Sequence, residues 1–259
     1  MAGEPDDVDT MVEPVVPSRH RWLAGLLGAR PGDRVADLGC GTGSTLAQVD
    51  AGLAIGVDVS SAALARAAEA LAPVHDTSFL LVQADLKNRV PIADGAADRV
   101  LCHDVLECLP DPDALVGEAA RILHPHGRLV LAHTDYDTLV FASEDLPLTR
   151  RLVHAYCDTQ QPWMDAVDGT IGRHLVEVAA RCGLVVEDVQ ATVVLSRRFV
   201  PGELGWGYAQ NIVGALRNAG WPDRAVLDDW LAGLRRLDER GGFLFSLNDY
   251  AVICRRVRR

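Results

Sequence analysis

The sequence predicts an α/β protein with a doubly wound, mainly parallel sheet, and three observations support this fold class. Short apolar runs alternate with amphipathic segments through the first half of the chain. A glycine-rich turn, residues 39–43, directly follows the first apolar run. The chain has 259 residues, 49% of them hydrophobic, which is enough for one large domain with a sizeable core. Parallel strands need crossover connections, so we expect helices on both faces of the sheet.

The elements of the first half alternate as a parallel sheet requires. Residues 1–15 are acidic, contain prolines and lack periodicity, so we expect a mobile N-terminal segment. A helix is predicted from Pro17 to Leu27, because Gly28 and Pro31 end its pattern. The other predicted elements of this half are strands at 33–38, 53–57, 78–83, 98–103 and 127–133 and helices at 43–49, 60–72 and 112–123.

The pattern changes after the fifth predicted strand. Residues 136–172 and about 200–240 are predicted as two insertions that form a helical cap on a single domain, residues 16–259. The elements predicted here are helices at about 146–160, 173–182, 203–219 and 223–239 and strands at 184–199 and 242–254.

Composition narrows the possible partners and compartments. The formal charge of −11 argues against nucleic acid or an anionic membrane as a partner, because phosphate groups require a basic face. The six cysteines form no Cys-x-x-Cys pair, which predicts reduced thiols in a cytoplasmic protein. Neither a signal peptide nor a run of about 18 apolar residues is expected from the pattern.

The most informative segment runs from Val35 to Ser44. An apolar run carries Asp37 near its end, and glycines follow at every second position from 39 to 43. Glycine lets the backbone turn sharply and approach a ligand closely. A dinucleotide fingerprint needs a sixth-position glycine, whereas this segment has Ser44 there, and Asp37 would repel a pyrophosphate. The spacing therefore disfavours a nicotinamide oxidoreductase, while the carboxylate suits a cationic amino group.

This segment resembles the first motif of class I S-adenosylmethionine-dependent methyltransferases. Carboxylates at the ends of the first three predicted strands, Asp37, Asp58 and Asp85, extend the resemblance to the ubiquinone/menaquinone-biosynthesis-like, small-molecule group. The resemblance implies a Rossmann-like sheet of seven strands, mainly parallel with an antiparallel last strand. It also implies S-adenosylmethionine as the cofactor.

The resemblance also implies a role for each cofactor-site residue. Asp58 can accept hydrogen bonds from both ribose hydroxyls, and Asp85 can accept one from the adenine amine. Backbone carbonyls after the fourth strand, at 103–107, are the expected partners of the methionyl amine. Asp58 or Ser60 could instead cap the following helix, and Asp85 could be a turn residue. The residues expected to bind the cofactor are Asp37, Gly39, Cys40, Gly41, Gly43, Asp58, Val59, Asp85, Leu86, His103 and Asp104.

Candidate catalytic groups follow the fifth predicted strand. Methyl transfer needs a base only if the acceptor atom is protonated at working pH. His133 ends a central strand and is expected to face the cleft, so it is the first candidate base, with a hydrogen-bonded structural role as an equal alternative. Tyr136 and His154 are further candidates, and the alternative for His154 is a structural or surface role. No His/Cys cluster has zinc spacing, so no metal is expected.

The sequence therefore predicts methyl transfer from S-adenosylmethionine to a small organic molecule, giving S-adenosylhomocysteine. Two rival functions stay open at this point. One is a non-methylating enzyme, such as a cyclase or decarboxylase, that uses the bound sulfonium electrostatically. The other is a non-catalytic binding protein. Turnover of S-adenosylmethionine separates these alternatives, and the pattern leaves the oligomeric state open.

Overall fold

A computed structural model describes residues 17–74, 76–165 and 169–257. The expectation for residues 1–15 lies outside this range. The helices and strands are α1 (Pro17–Leu27), β1 (Arg34–Leu38), β2 (Leu53–Asp58), α2 (Ser61–Leu71), β3 (Ser78–Gln83), β4 (Ala97–His103), α3 (Pro112–Ile122), β5 (Leu123–Phe141), α4 (Leu146–Cys157), α5 (Ile171–Arg181), β6 (Leu184–Ser196), α6 (Leu204–Asn218), α7 (Arg224–Glu239) and β7 (Phe245–Arg256). Within the described ranges, no helix has the length and apolarity needed to cross a membrane.

The described strands form one seven-stranded sheet in the order β3-β2-β1-β4-β5-β7-β6. β1 runs parallel to β2 and β4, β2 to β3, and β4 to β5. β7 is antiparallel to both of its neighbours, β5 and β6. The predicted fold class, with its antiparallel last strand, is therefore confirmed.

The side chains of the strands point alternately into two apolar layers, one on each face of the sheet. Leu129 and Leu131 of β5 pack into the layer beneath α3 and α5, whereas Val130 and Ala132 pack into the layer beneath α1 and α2. A third apolar cluster joins α4, α6 and α7 to the far end of β5. We call α4, α6 and α7 together the cap, and this third cluster holds them together.

Two predicted elements differ in the structure. The helix predicted at 43–49 is wrong, because only a single 3₁₀ turn, Leu46–Gln48, forms in the short connection before β2. β5 does not end at 133 but continues to Phe141, where it still pairs with Phe245 of β7. The antiparallel partner extends the strand, so Tyr136 lies in β5 rather than in an insertion.

Candidate active site

The glycine-rich turn lies at the carboxyl end of β1. Gly39, Gly41 and Gly43 have φ angles of +81°, +51° and +76°, a region that L side chains rarely adopt. A Cβ added at Gly39 would lie 2.9 Å from Val105, whereas one added at Gly41 would meet no described atom within 4 Å. The turn therefore packs against the protein at Gly39 and leaves open space at Gly41, where a ligand can approach the backbone.

Asp58 ties this turn to the end of β2. One of its carboxylate oxygens accepts a hydrogen bond from the Gly41 N–H at 2.8 Å, and the other accepts one from the Ser60 N–H at 2.9 Å. The N-cap of α2 is Ser60, whose hydroxyl accepts from the Ala63 N–H at 3.1 Å. Because Ser60 caps the helix, Asp58 does not have that role, and its two oxygens each keep a lone pair for a further donor.

The surface beside Asp58 fits a nucleoside. β2 and β3 are parallel neighbours, so Asp58 and Asp85 follow their strands at the same edge of the sheet. Val59, which follows Asp58, exposes 54% of its surface, while Leu86, which follows Asp85, is buried. Asp85 is exposed and accepts a hydrogen bond from the Lys87 N–H at 2.9 Å. An exposed apolar residue flanked by two carboxylates suits a base with an amine and a ribose with two hydroxyls.

Asp37 is buried at the end of β1, with 3% of its surface exposed. Burial raises the pKa of its carboxyl to about 7, the charge of Asp58 adds to that rise, and the nearby His103 opposes it. Burial, helped by the charges of Asp37 and Asp58, also raises the pKa of the Cys40 thiol well above its usual range. A cation placed beside Asp37 would favour its ionised form.

Asp104 is the centre of an ion network where β4 ends. It is a non-glycine residue with a φ of +48°. One carboxylate oxygen accepts from the Thr134 N–H at 2.8 Å, and the other accepts from the Arg19 guanidinium. Burial alone would raise the pKa of Asp104, but the charges of Arg19 and His103 outweigh burial and hold that pKa well below its usual range. Arg19, which is buried, also donates to Asp249 at 3.0 Å and so anchors α1 over the site.

The same region contains a group that resembles a metal site. His103, Asp104 and Asp249 offer donor atoms within 4.8 Å of one another. The guanidinium of Arg19 forms ion pairs with both carboxylates. Because a protein cation already compensates these two charges, the group is better explained as an anchor for α1 than as a metal site.

Glu107 lies close to two of the candidate catalytic residues, Tyr136 and His133. Its Oε1 accepts hydrogen bonds from the Tyr136 hydroxyl and from the Trp163 indole N–H, both at 3.0 Å. Its Oε2 lies 3.9 Å from Nε2 of His133, and neither of these buried atoms has a hydrogen-bond partner among the described residues. His133 Nδ1 donates to the Thr134 carbonyl at 2.8 Å, which leaves Nε2 as the acceptor in the neutral ring.

Glu107 and His133 each affect the pKa of the other. Burial raises the pKa of Glu107 to about 7, with the charge of Asp104 adding to the rise and His133 opposing it. Burial would lower the pKa of His133, but the charges of Glu107 and Asp104 outweigh it, so the pKa of His133 is raised. Two groups with facing, unpartnered atoms and raised pKa values are placed to exchange a proton.

The structure brings together only part of the predicted catalytic set. His133 was expected to face the cleft, but its side chain is fully enclosed between the turn after β4 and the cap. His154 lies on α4 with 64% of its side chain exposed, 3.4 Å from Asp137, and is not part of the Glu107 group. The side chain of Glu107 was missed, because only the backbone carbonyls of 103–107 were expected in the site, as partners of the methionyl amine.

Comparisons with known proteins find a methyltransferase domain in this chain. Residues 36–131 match the family model described as a methyltransferase domain. An uncharacterised 37.1 kDa protein of transposon TN4556 from Streptomyces fradiae is 30% identical over 88% of this chain and 64% of its own length. The 27-O-demethylrifamycin SV methyltransferase of Amycolatopsis mediterranei is 32% identical over 49% of this chain and 47% of its own length. The chain thus spans between about half and two thirds of these two relatives.

A solved structure extends the comparison to the whole fold. The YcgJ protein from Bacillus subtilis superposes with a TM-score of 0.60 at 20% identity, covering 93% of this chain and all of its own. At this identity the superposition shows a shared fold. The coverage extends well beyond residues 36–131.

Proposed function

We propose that this chain, which belongs to the class I S-adenosylmethionine-dependent methyltransferases, transfers a methyl group from S-adenosylmethionine to a small organic molecule. The observation that carries the proposal is the arrangement at the carboxyl ends of β1 and β2, where Asp58 holds an open glycine turn. In sheets of this kind, ligands bind outside the carboxyl ends of the strands. The second product would be S-adenosylhomocysteine.

The chain's own residues would hold the cofactor as follows. Asp58 accepts from the ribose hydroxyls with the lone pairs that Gly41 and Ser60 leave free. Asp85 accepts from the adenine amine, and Val59 packs against the base. Asp37 and the carbonyls of 103–104 face the methionyl amine. When bound, the cofactor supplies an electrophilic methyl group on a sulfonium.

The acceptor would bind beneath the cap, beside the Glu107 group. Tyr136 and Trp163 offer an aromatic wall, which suits a flat or apolar molecule. A hydroxyl or carbon-acid acceptor needs a proton acceptor, and Glu107, whose pKa burial raises to about 7, would supply it together with the facing His133. Because His133 is enclosed, the proton would leave the acceptor atom for Glu107 Oε2 and be shared with the facing Nε2 of His133. The relative named after demethylrifamycin, also a small organic molecule, supports this substrate class.

The expected location follows from the thiols. All six cysteines are free in the structure, which supports the proposal of a reducing, cytoplasmic location. A small-molecule acceptor is the partner that the proposal requires. His154, being exposed on α4, is proposed as a surface residue of the cap rather than as the base.

The proposal is tested by incubating the protein with methyl-labelled S-adenosylmethionine and a panel of small hydroxyl, amine and carbon-acid acceptors. Mass spectrometry should detect a labelled product and an equal amount of S-adenosylhomocysteine. Glu107→Gln should lower the rate with hydroxyl acceptors, whereas the control Glu177→Gln, at a residue exposed on α5, should not. Conversion of an acceptor with S-adenosylmethionine left intact would favour the non-methylating alternative, and binding without any turnover would favour the non-catalytic one.

A further inference from the structure

A cavity of about 250 Å³ lies at the edge of the sheet opposite the glycine turn. Four arginines line it, namely Arg99, Arg128, Arg255 and Arg256, and Glu187 is the one carboxylate among the described residues that line it. This concentration of positive charge contrasts with the formal charge of −11 on the whole chain. The cavity is smaller than the roughly 300–1,000 Å³ of pockets for drug-sized ligands, so it suits a small anion.

Three of these arginines lie side by side on one face of the sheet. β4 and β5 pair in parallel with Arg99 opposite Arg128. β5 pairs antiparallel with β7 from Leu129 opposite Cys254 onward, and the preceding step of the same register brings Arg128 beside Arg255. We call these three residues the arginine row. Like charges directly opposite each other destabilise a sheet, so the row needs negative charge close to its members.

The protein itself supplies only part of that negative charge. Arg99 forms an ion pair with Asp33 at 3.1 Å, and Arg255 forms one with Glu187 at 3.0 Å. Arg128, the middle member, forms no ion pair with a described residue, and its Nη1 donates to a backbone carbonyl in the last turn of α1 at 3.0 Å. Because a carbonyl carries only a partial charge, the middle guanidinium keeps a positive charge that no carboxylate of the described chain compensates.

We propose that this cavity binds a small phosphate anion, either inorganic phosphate or the phosphoryl group of a phosphomonoester, against the arginine row. Such an anion would compensate the charge of Arg128 and bridge it to an outer member of the row. Guanidinium groups match phosphate oxygens with two parallel hydrogen bonds, and a phosphate brings more charge than a single carboxylate. The side chain of Arg99 is only 15% exposed, and such partly buried charges are screened less by salt.

The anion site is separate from the proposed cofactor site. Arg99 lies near the start of β4, whereas Asp104 follows the end of that strand and the glycine turn follows the end of β1. Because β1 and β4 are parallel, these two regions lie at opposite edges of the sheet. Loss of anion binding should therefore leave the affinity for S-adenosylhomocysteine unchanged, so this proposal and the proposed function can fail separately.

Isothermal titration of the full chain with sodium phosphate, at constant ionic strength, provides the first test. One phosphate should bind per chain, and Arg128→Gln should weaken the binding by about tenfold or more, because charge-assisted hydrogen bonds are lost. Arg197→Gln is the matched control, since it removes the same charge from an exposed residue that follows the end of β6 far from the cavity. An absence of phosphate binding, or equal losses in the two variants, would overturn the proposal.

Glu187→Gln gives a result that a folding defect cannot imitate. The substitution removes the carboxylate that competes with the anion for Arg255, so the affinity for phosphate should rise by about threefold or more. An affinity that falls or stays the same would show that the arginine row only anchors the end of α1. Titration with glycerol phosphate distinguishes the two forms of the ligand, because tighter binding of the ester indicates a phosphomonoester and weaker binding indicates free phosphate.

Discussion

Cofactor binding should be linked to the protonation of Asp37. With no cation beside it, this buried carboxyl has its pKa raised to about 7 by burial. In the proposed complex a cationic amine lies next to it, which favours the carboxylate. Below pH 7 the cofactor must therefore displace a proton. The affinity is fully expressed above pH 7 and is lost as the pH falls, because a proton competes for the carboxylate.

The size of this effect follows from the two pKa values. If the cation returns the pKa of Asp37 to its ordinary value of 3.8, affinity should fall about 30-fold between pH 8 and pH 5.5. Asp37→Asn cannot titrate, so its affinity should be lower at pH 8 and nearly constant over this range. Burial also raises the pKa of Glu107 to about 7. A pH dependence caused by Glu107 could therefore be mistaken for one caused by Asp37.

Isothermal titration with S-adenosylhomocysteine measures this linkage. Titrations at several pH values, each in two buffers with different ionisation enthalpies, give both the affinity and the number of protons released. Glu107→Gln should retain the pH dependence that Asp37→Asn loses. A wild-type affinity that changes less than threefold from pH 8 to pH 5.5 would refute the reasoning, as would a dependence that disappears only in Glu107→Gln.

Three further substitutions test other parts of the site. Asp58→Ala removes the ribose acceptor and should weaken S-adenosylhomocysteine binding by about 1.5–3 kcal/mol in calorimetry, whereas the exposed control Asp50→Ala should change nothing. Gly41→Val fills open space at a φ of +51°, so it should abolish cofactor binding while circular dichroism shows a folded protein. His133→Ala should lower single-turnover rates with a hydroxyl acceptor by about 10²–10⁴-fold with cofactor affinity nearly unchanged, and a loss below threefold would remove His133 as the base.

Where the proposed cofactor residues lie could be predicted, because their signals are local, while their contacts with the cofactor stay a prediction. The glycine turn and the carboxylates at Asp37, Asp58 and Asp85 each follow a short strand that the apolar pattern identifies. Parallel strands bring their carboxyl ends to one edge of the sheet, so residues distant in sequence become neighbours by topology alone. The sequence left open whether Asp58 or Ser60 caps α2, and the structure shows that Ser60 is the N-cap.

The acceptor side could not be predicted, because tertiary contacts define it. Arg19 resembles any polar residue of an N-terminal helix, yet its guanidinium meets carboxylates 85 and 230 positions later in the chain. Glu107 becomes buried only because a 3₁₀ turn, Leu106–Cys108, directs it toward β5. The length of β5 likewise depends on pairing with β7, the last strand of the chain.

A crystal structure of the protein with S-adenosylhomocysteine tests the central claim most directly. We predict the ribose hydroxyls on the Asp58 carboxylate, the adenine amine at Asp85, and the amino group near Asp37. The sulfur should point toward the Glu107 group. A ligand bound elsewhere, or one whose ribose makes no contact with Asp58, would contradict the account.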